Sequence, residues 1–99
     1  MALIIKWNKR SKTTFDKTVD YLENDWGVES AIKFVQKVNR VLILIQSYPE
    51  IGKKENPRTD LFSIVITKQI TLFYRLKPDN IILLNFFDTR KSPFKKPKQ

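Results

Sequence analysis

The order of the apolar runs predicts an α+β fold, strand–helix–helix–strand–strand–strand, with a helical hairpin packed on a mainly antiparallel four-stranded sheet. Three observations carry this prediction. A short β-branched and aromatic run, Leu3-Ile4-Ile5-Lys6-Trp7, stands near the start. Two long stretches then repeat apolar residues at helical spacing. Three strand-like runs joined by short turns fill Leu61 to Phe87.

After the first strand, Asn8 to Lys12 reads as a polar connection, and Ser11 or Thr13 as the cap of the next helix; Thr13 with Asp16 forms an imperfect capping box. Phe15, Val19, Leu22 and Trp26 fall at i, i+4, i+7 and i+11, on one helical face. Gly27 is suited to end this helix in a left-handed conformation. Ala31, Phe34, Val35, Val38, Val41, Leu42 and Ile45 predict a second helix over Glu29 to Ser47, with Lys33, Lys37 and Arg40 off the stripe. Tyr48-Pro49 stops it, because proline disfavours helical geometry in the residue before it.

Pro49-Glu50-Ile51-Gly52 reads as a turn, and the polar stretch Lys53 to Asp60, containing Pro57, as a mobile loop. Leu61 to Thr67 predicts a strand with Phe62, Ile64 and Ile66 on one face. Lys68-Gln69 makes a tight connection without the usual Gly or Asn. Ile70 to Lys77 is the next strand, with Ile70, Leu72 and Tyr74 sharing a face. Pro78-Asp79-Asn80 is a turn. Ile81 to Phe87 is apolar on both faces (Ile81, Leu83, Phe87 and Ile82, Leu84, Phe86), the signature of a central strand.

Ninety-nine residues make one domain, 1–99, carrying a basic tail over 90–99. An apolar content of 41% excludes a disordered chain. No apolar run approaches the roughly 18 residues of a membrane span, and MALIIKWNKR is too short and too charged further on for a signal peptide. A cytoplasmic location and no membrane partner are expected. The chain has no Cys and no His, which excludes disulfides and Cys/His zinc sites and removes the commonest general base near neutral pH. Neither a metal nor a cofactor is expected. Any catalysis would use Lys, Arg, Tyr, Ser, Thr or carboxylates. Asp16, Asp20 and Glu23 cluster at helical spacing, but no second acidic group faces them to build a Mg²⁺ site.

Formal net charge is +9, and Arg90, Lys91, Lys95, Lys96 and Lys98 of the tail supply five of those charges with no acid among them. The excess points to an anionic partner, nucleic acid, a ribosome or an acidic protein segment, or else to a solvated tail. Arg58, Arg75, Arg90 and Lys91 are candidates for phosphate contact, because guanidinium offers a planar fork that keeps its charge. Lys53 and Lys54 stand with Arg58 in the polar loop, Phe94 with Lys95 and Lys96 in the tail, where an aromatic among cations can stack on a base. The other aromatics lie on periodic faces and read as core.

Ala31-x-x-Phe34, Pro49-x-x-Gly52 and the closing strand running into Asp88-x-Arg90-x-x-Pro93 together resemble the RelE/ParE superfamily of toxins from bacterial type II toxin–antitoxin pairs. The resemblance implies a growth-inhibiting toxin neutralised by a cognate antitoxin in a hetero-oligomer, through an acidic amphipathic segment laid along the hairpin and sheet. RNA-cleaving members use lysines on the first strand after the hairpin, an arginine early in the next, an arginine after the last and a C-terminal tyrosine. The matching positions here are Ser63 and Val65, Thr71, and Arg90, and no tyrosine follows Tyr74. The ParE branch, whose members have a longer hairpin, lack that set and inhibit DNA gyrase, resembles the chain better. The alternatives are a ribosome-dependent mRNA interferase, a metal-independent endoribonuclease with Arg90 and Lys91 as catalytic residues, and a non-catalytic nucleic-acid-binding module.

Overall fold

Asn8 starts the first helix. Its backbone is extended, and its Oδ1 accepts from the Ser11 N–H at 2.7 Å. The computed structural model, which describes residues 3–89, thus runs from strand β1 (Ile4–Trp7) through Asn8 into helix α1 (Lys9–Trp26). This corrects the cap expected at Ser11 or Thr13, which both lie inside α1. Asn8 is an equally strong capping type and comes first after the strand. Ser11 is fully buried, and its hydroxyl donates back to the Asn8 carbonyl at 2.9 Å.

One residue, Gly27, separates α1 from helix α2 (Val28–Ser47). Its φ of +99° is the positive value expected, while its ψ of 164° is extended rather than helical, a combination essentially reserved for glycine. Along α2, Ala31, Phe34, Val38 and Ile45 are buried, and Val41 and Leu42 pack beside them. On α1, Phe15, Val19 and Leu22 pack on the core, but Trp26 is 63% exposed. The expected stripe therefore loses its last member at the hairpin tip.

The hairpin lies on one face of a five-stranded sheet of order β1-β5-β4-β3-β2, with β2 at Lys53–Lys54, β3 at Leu61–Val65, β4 at Ile70–Leu76 and β5 at Asn80–Asp88. β1 runs parallel to β5, and the other pairs are antiparallel. The expected four strands become five because Lys53 and Lys54 pair with Ser63 and Phe62. Two exposed lysines bury no side chain, so no alternation marks them, and charge on an edge strand discourages further pairing. β5 is paired on both sides, as its apolar faces predict.

The core face carries Phe62 from β3, Ile70, Leu72 and Tyr74 from β4, and Ile81, Leu83 and Phe86 from β5. Strict alternation assigns Phe87, not Phe86, to the side of Ile81 and Leu83, and the structure corrects this. Phe73 pairs with Asn85 while Tyr74 pairs with Leu83, so Leu84 is left without a partner in a bulge that shifts the alternation by one. Phe86 thereby turns inward to join Trp7, Phe15 and Phe34, its ring centroid 5.6 Å from Trp7 and 5.5 Å from Phe15. Among the described residues no helix is long and apolar enough to cross a membrane.

Candidate functional site

Among the described residues no helix lies on the sheet face opposite the hairpin, and that face gathers a row of polar side chains. One row in register crosses four strands: Lys53 on β2, Ser63 on β3, Phe73 on β4 and Asn85 on β5. The Ser63 hydroxyl donates to a Glu55 carboxylate oxygen. Asn85 is 7% exposed, and its Oδ1 accepts no hydrogen bond among the described groups. Phe73 lies between Ser63 and Asn85 and meets Phe87 edge-on, with centroids 6.4 Å apart.

Beside this row Arg75, opposite Leu61, projects from the same face. Its Nη1 donates to Asp60 Oδ1 at 2.5 Å, and Lys77 Nζ lies 3.0 Å from Asp60 Oδ2. The Lys77 hydrogen bond, aided by Arg75 and opposed by partial desolvation, holds the Asp60 carboxyl below the ordinary carboxylate range. Arg75 is thus partly neutralised by its own chain. On the other side of the row, Val65 pairs with Thr71. Ser63, Val65 and Thr71, the positions matched to cleavage cations, therefore share this face and carry no charge there, Ser63 being buried and Val65 exposed.

Of the residues singled out by sequence, Lys53 and Lys54 are exposed on β2, and Arg58 is exposed in the loop, its backbone N–H donating to Asn56 Oδ1 at 2.9 Å. Arg90, Lys91, Phe94, Lys95 and Lys96 lie outside the described residues. The structure brings Lys53 and Arg75 to one face. Sequence reasoning missed Glu55 and Asp60, because their partners Ser63 and Arg75 are set by strand pairing, and no local pattern marks them. Among the described residues, this face brings cations at its rim together with two carboxylates, Glu55 on Ser63 and Asp60 on Arg75 and Lys77.

The face bearing the hairpin holds a second feature. A groove of about 370 Å³ opens between the hairpin and the β3–β4 turn, with Leu22, Phe34 and Ile70 beneath it and Trp26, Lys33 and Lys37 around it. The turn itself is held by Thr67, whose Oγ1 accepts from the Ile70 N–H at 3.2 Å, which explains how it closes without Gly or Asn.

A helical hairpin on one face of a mixed sheet is the architecture of toxins from type II toxin–antitoxin systems. The chromosomal ParDE toxin–antitoxin structure from P. aeruginosa superposes with a TM-score of 0.70 at 20% identity, over 88% of this chain and 96% of that one. The YoeB dimer of Staphylococcus aureus gives 0.61 at 19% identity, over 88% and 97%. The E. coli DinJ–YafQ complex gives 0.65 at 9% identity, over 96% and 100%. At these identities the likeness establishes the fold. No curated protein matches the sequence. The family comes from the sequence itself: residues 5–93 match the model described as ParE toxin of type II toxin-antitoxin system, parDE, and the chain belongs to that family.

Proposed function

We propose that this toxin arrests growth by inhibiting DNA gyrase and that a cognate antitoxin neutralises it. The observation that carries the reading is the sheet face opposite the hairpin. Ser63, Val65 and Thr71 stand together there, and none can neutralise a phosphate or a transition-state charge as a cationic cleavage set would. The ParE family match over residues 5–93 supports it. The antitoxin reading is supported by the solved YoeB–YefM and DinJ–YafQ complexes, in which toxins of the same fold are bound by their antitoxins. A net charge of +9 suits an acidic partner and speeds its encounter.

One observation favours a second reading, ribosome-dependent mRNA cleavage. Glu55 brings a carboxylate, a group able to act as a general base, to Ser63 on the same face as Lys53 and the Asp60-bound Arg75, whose charges suit a phosphate. The test is induced expression in a bacterial host, with plasmid supercoiling and RNA 5′ ends followed together. Relaxed plasmid and no new ends is the expected result. Codon-phased ends with normal supercoiling would overturn the gyrase reading, and Glu55→Gln would then abolish those ends.

A further inference from the structure

We propose that Arg75 and Lys77 form a site for the phosphodiester backbone of a nucleic acid, and that Asp60 fills it until a phosphate displaces its carboxylate. The site goes beyond the gyrase reading and does not depend on it. Arg75 Nη1 meets Asp60 Oδ1 at 2.5 Å and Lys77 Nζ meets Oδ2 at 3.0 Å, so each oxygen of one carboxylate has its own cation. A phosphodiester carries the same pair of free, charged oxygens, and a guanidinium beside an ammonium suits it equally well. Asp60 thus stands where a phosphate would.

The carboxylate can leave without the loop opening. The Asp60 carbonyl accepts the Leu76 N–H at 2.9 Å, and Leu61 next to it pairs with Arg75, so the Asp60 backbone is fixed beside β4 while its side chain is free to rotate away. The ion pair is weak enough to exchange, because the Arg75 and Lys77 side chains are 37% and 42% exposed and water screens them. Two cations facing one anion also leave a positive charge that draws a phosphate in. The other acid near this end of the sheet, Asp79, accepts from Asn80 Nδ2 at 2.9 Å in the β4–β5 turn. Further cations extend the site. Register puts Lys6 of β1 in one row with Ile82 and Arg75, on the same face. Two strand spacings separate Lys6 from Arg75, about 10 Å. Lys6 is exposed, as is Arg58 two residues before Asp60, and neither joins an ion pair among the described residues. Cations spaced along a sheet face suit a nucleic-acid backbone, which binds by charge alone.

The experiment uses the full chain and two labelled oligonucleotides, a DNA duplex and a single-stranded RNA, with affinities measured over a range of salt. Asp60→Asn removes the competing charge and keeps its shape. Arg75→Gln/Lys77→Gln removes the site without touching Asp60. Asp16→Asn, exposed on α1, controls for net charge. Melting curves first show that each chain is folded. Binding tighter by about fivefold or more for Asp60→Asn, against about twofold or less for Asp16→Asn, is the expected result. Arg75→Gln/Lys77→Gln should weaken binding and flatten the slope of log affinity against log salt by about one to two. Adding Asp60→Asn to that pair should bring no gain. Equal gains from Asp60→Asn and Asp16→Asn mean general attraction only and overturn the site, as does an unchanged salt slope in Arg75→Gln/Lys77→Gln. Weaker binding by Asp60→Asn overturns the displacement, since Asp60 would then be ordering the two cations. Poly-glutamate competing as well as the oligonucleotides overturns the choice of ligand. A larger gain on the duplex or on the RNA assigns the source of the phosphates, and either supports the site. Neither gyrase nor ribosome is present, so the outcome is read apart from the choice of target.

Discussion

The Thr14 hydroxyl accepts the backbone N–H of Phe86 at 3.0 Å, across 72 positions of sequence. β1 ends at Trp7 opposite Leu83, so beyond that point the longer β5 keeps β4 on one side and has no strand neighbour on the other among the described residues. The start of α1 takes over, with the Asn8 N–H donating to the Leu83 carbonyl at 3.3 Å and Thr14 receiving Phe86. The helix thus completes the hydrogen bonding of a sheet edge that would otherwise be buried unpaired. Thr14 serves both elements, since its own proton goes to the Arg10 carbonyl at 2.8 Å.

Thr14→Val keeps the shape and removes the acceptor. It should destabilise the chain by about 1–3 kcal/mol, the cost of a buried N–H left without a partner. Thr14→Ser should restore most of it. Urea melts of the three chains measure both.

The Pro49-x-x-Gly52 turn is held by Tyr74, whose hydroxyl donates to the Pro49 carbonyl at 2.8 Å and accepts from the Gly52 N–H at 3.2 Å. A Cβ at Gly52 would lie 2.6 Å from both the Ser63 carbonyl and the Tyr74 hydroxyl. Gly52→Ala should therefore cost about 1–3 kcal/mol through forced displacement. The same change at a site open to solvent would cost far less. Chemical denaturation gives the difference.

Alkaline stability follows from the same side chain. Burial raises the Tyr74 phenol above its ordinary 10.0, the Gly52 N–H offsetting part of this. The folded chain then holds a proton that the unfolded chain releases. The contribution is complete below pH 10 and is lost as pH rises from there through the folded value. Tyr74→Phe should flatten this alkaline limb and lower stability at neutral pH. Thermal melts between pH 8 and 11 test it.

At the acid end the sign reverses. Asp60 is held below 3.8, chiefly by Lys77 and then by Arg75 against partial desolvation. Its contribution is present above the unfolded value and disappears as pH falls through the folded one. Asp60→Asn should make the melting temperature less sensitive to pH between 5 and 2. The effect should be modest and weaken in high salt, since the pair is a third exposed.

Much of the fold was legible in periodicity. The α2 stripe predicts burial of Ala31, Phe34, Val38 and Ile45, and the spacing of Ile70, Leu72 and Tyr74 predicts one buried strand face. Both work because each residue's burial repeats with the period of its own element. Asn8 shows the limit, since several neighbouring polar residues can cap a helix and only the end of β1 decides among them.

The candidate site was less legible. Lys53 and Arg75 could be named from charge, but the row joining Lys53, Ser63, Phe73 and Asn85 exists only through strand register. Arg75 looked available for phosphate, whereas Asp60, fifteen residues earlier, partly neutralises it.

By itself the sequence determined the two helices and the four longer strands, their order, the basic charge and the absence of Cys and His, because these depend on composition and local period. Tertiary structure decided the rest. The bulge at Leu84 turned Phe86 into the core, pairing drew Lys53–Lys54 into the sheet, and hairpin packing left Trp26 outside beside Lys33 and Lys37. Each depends on which distant residues meet, and that is governed by packing and backbone hydrogen bonding between elements rather than by the pattern within any one of them.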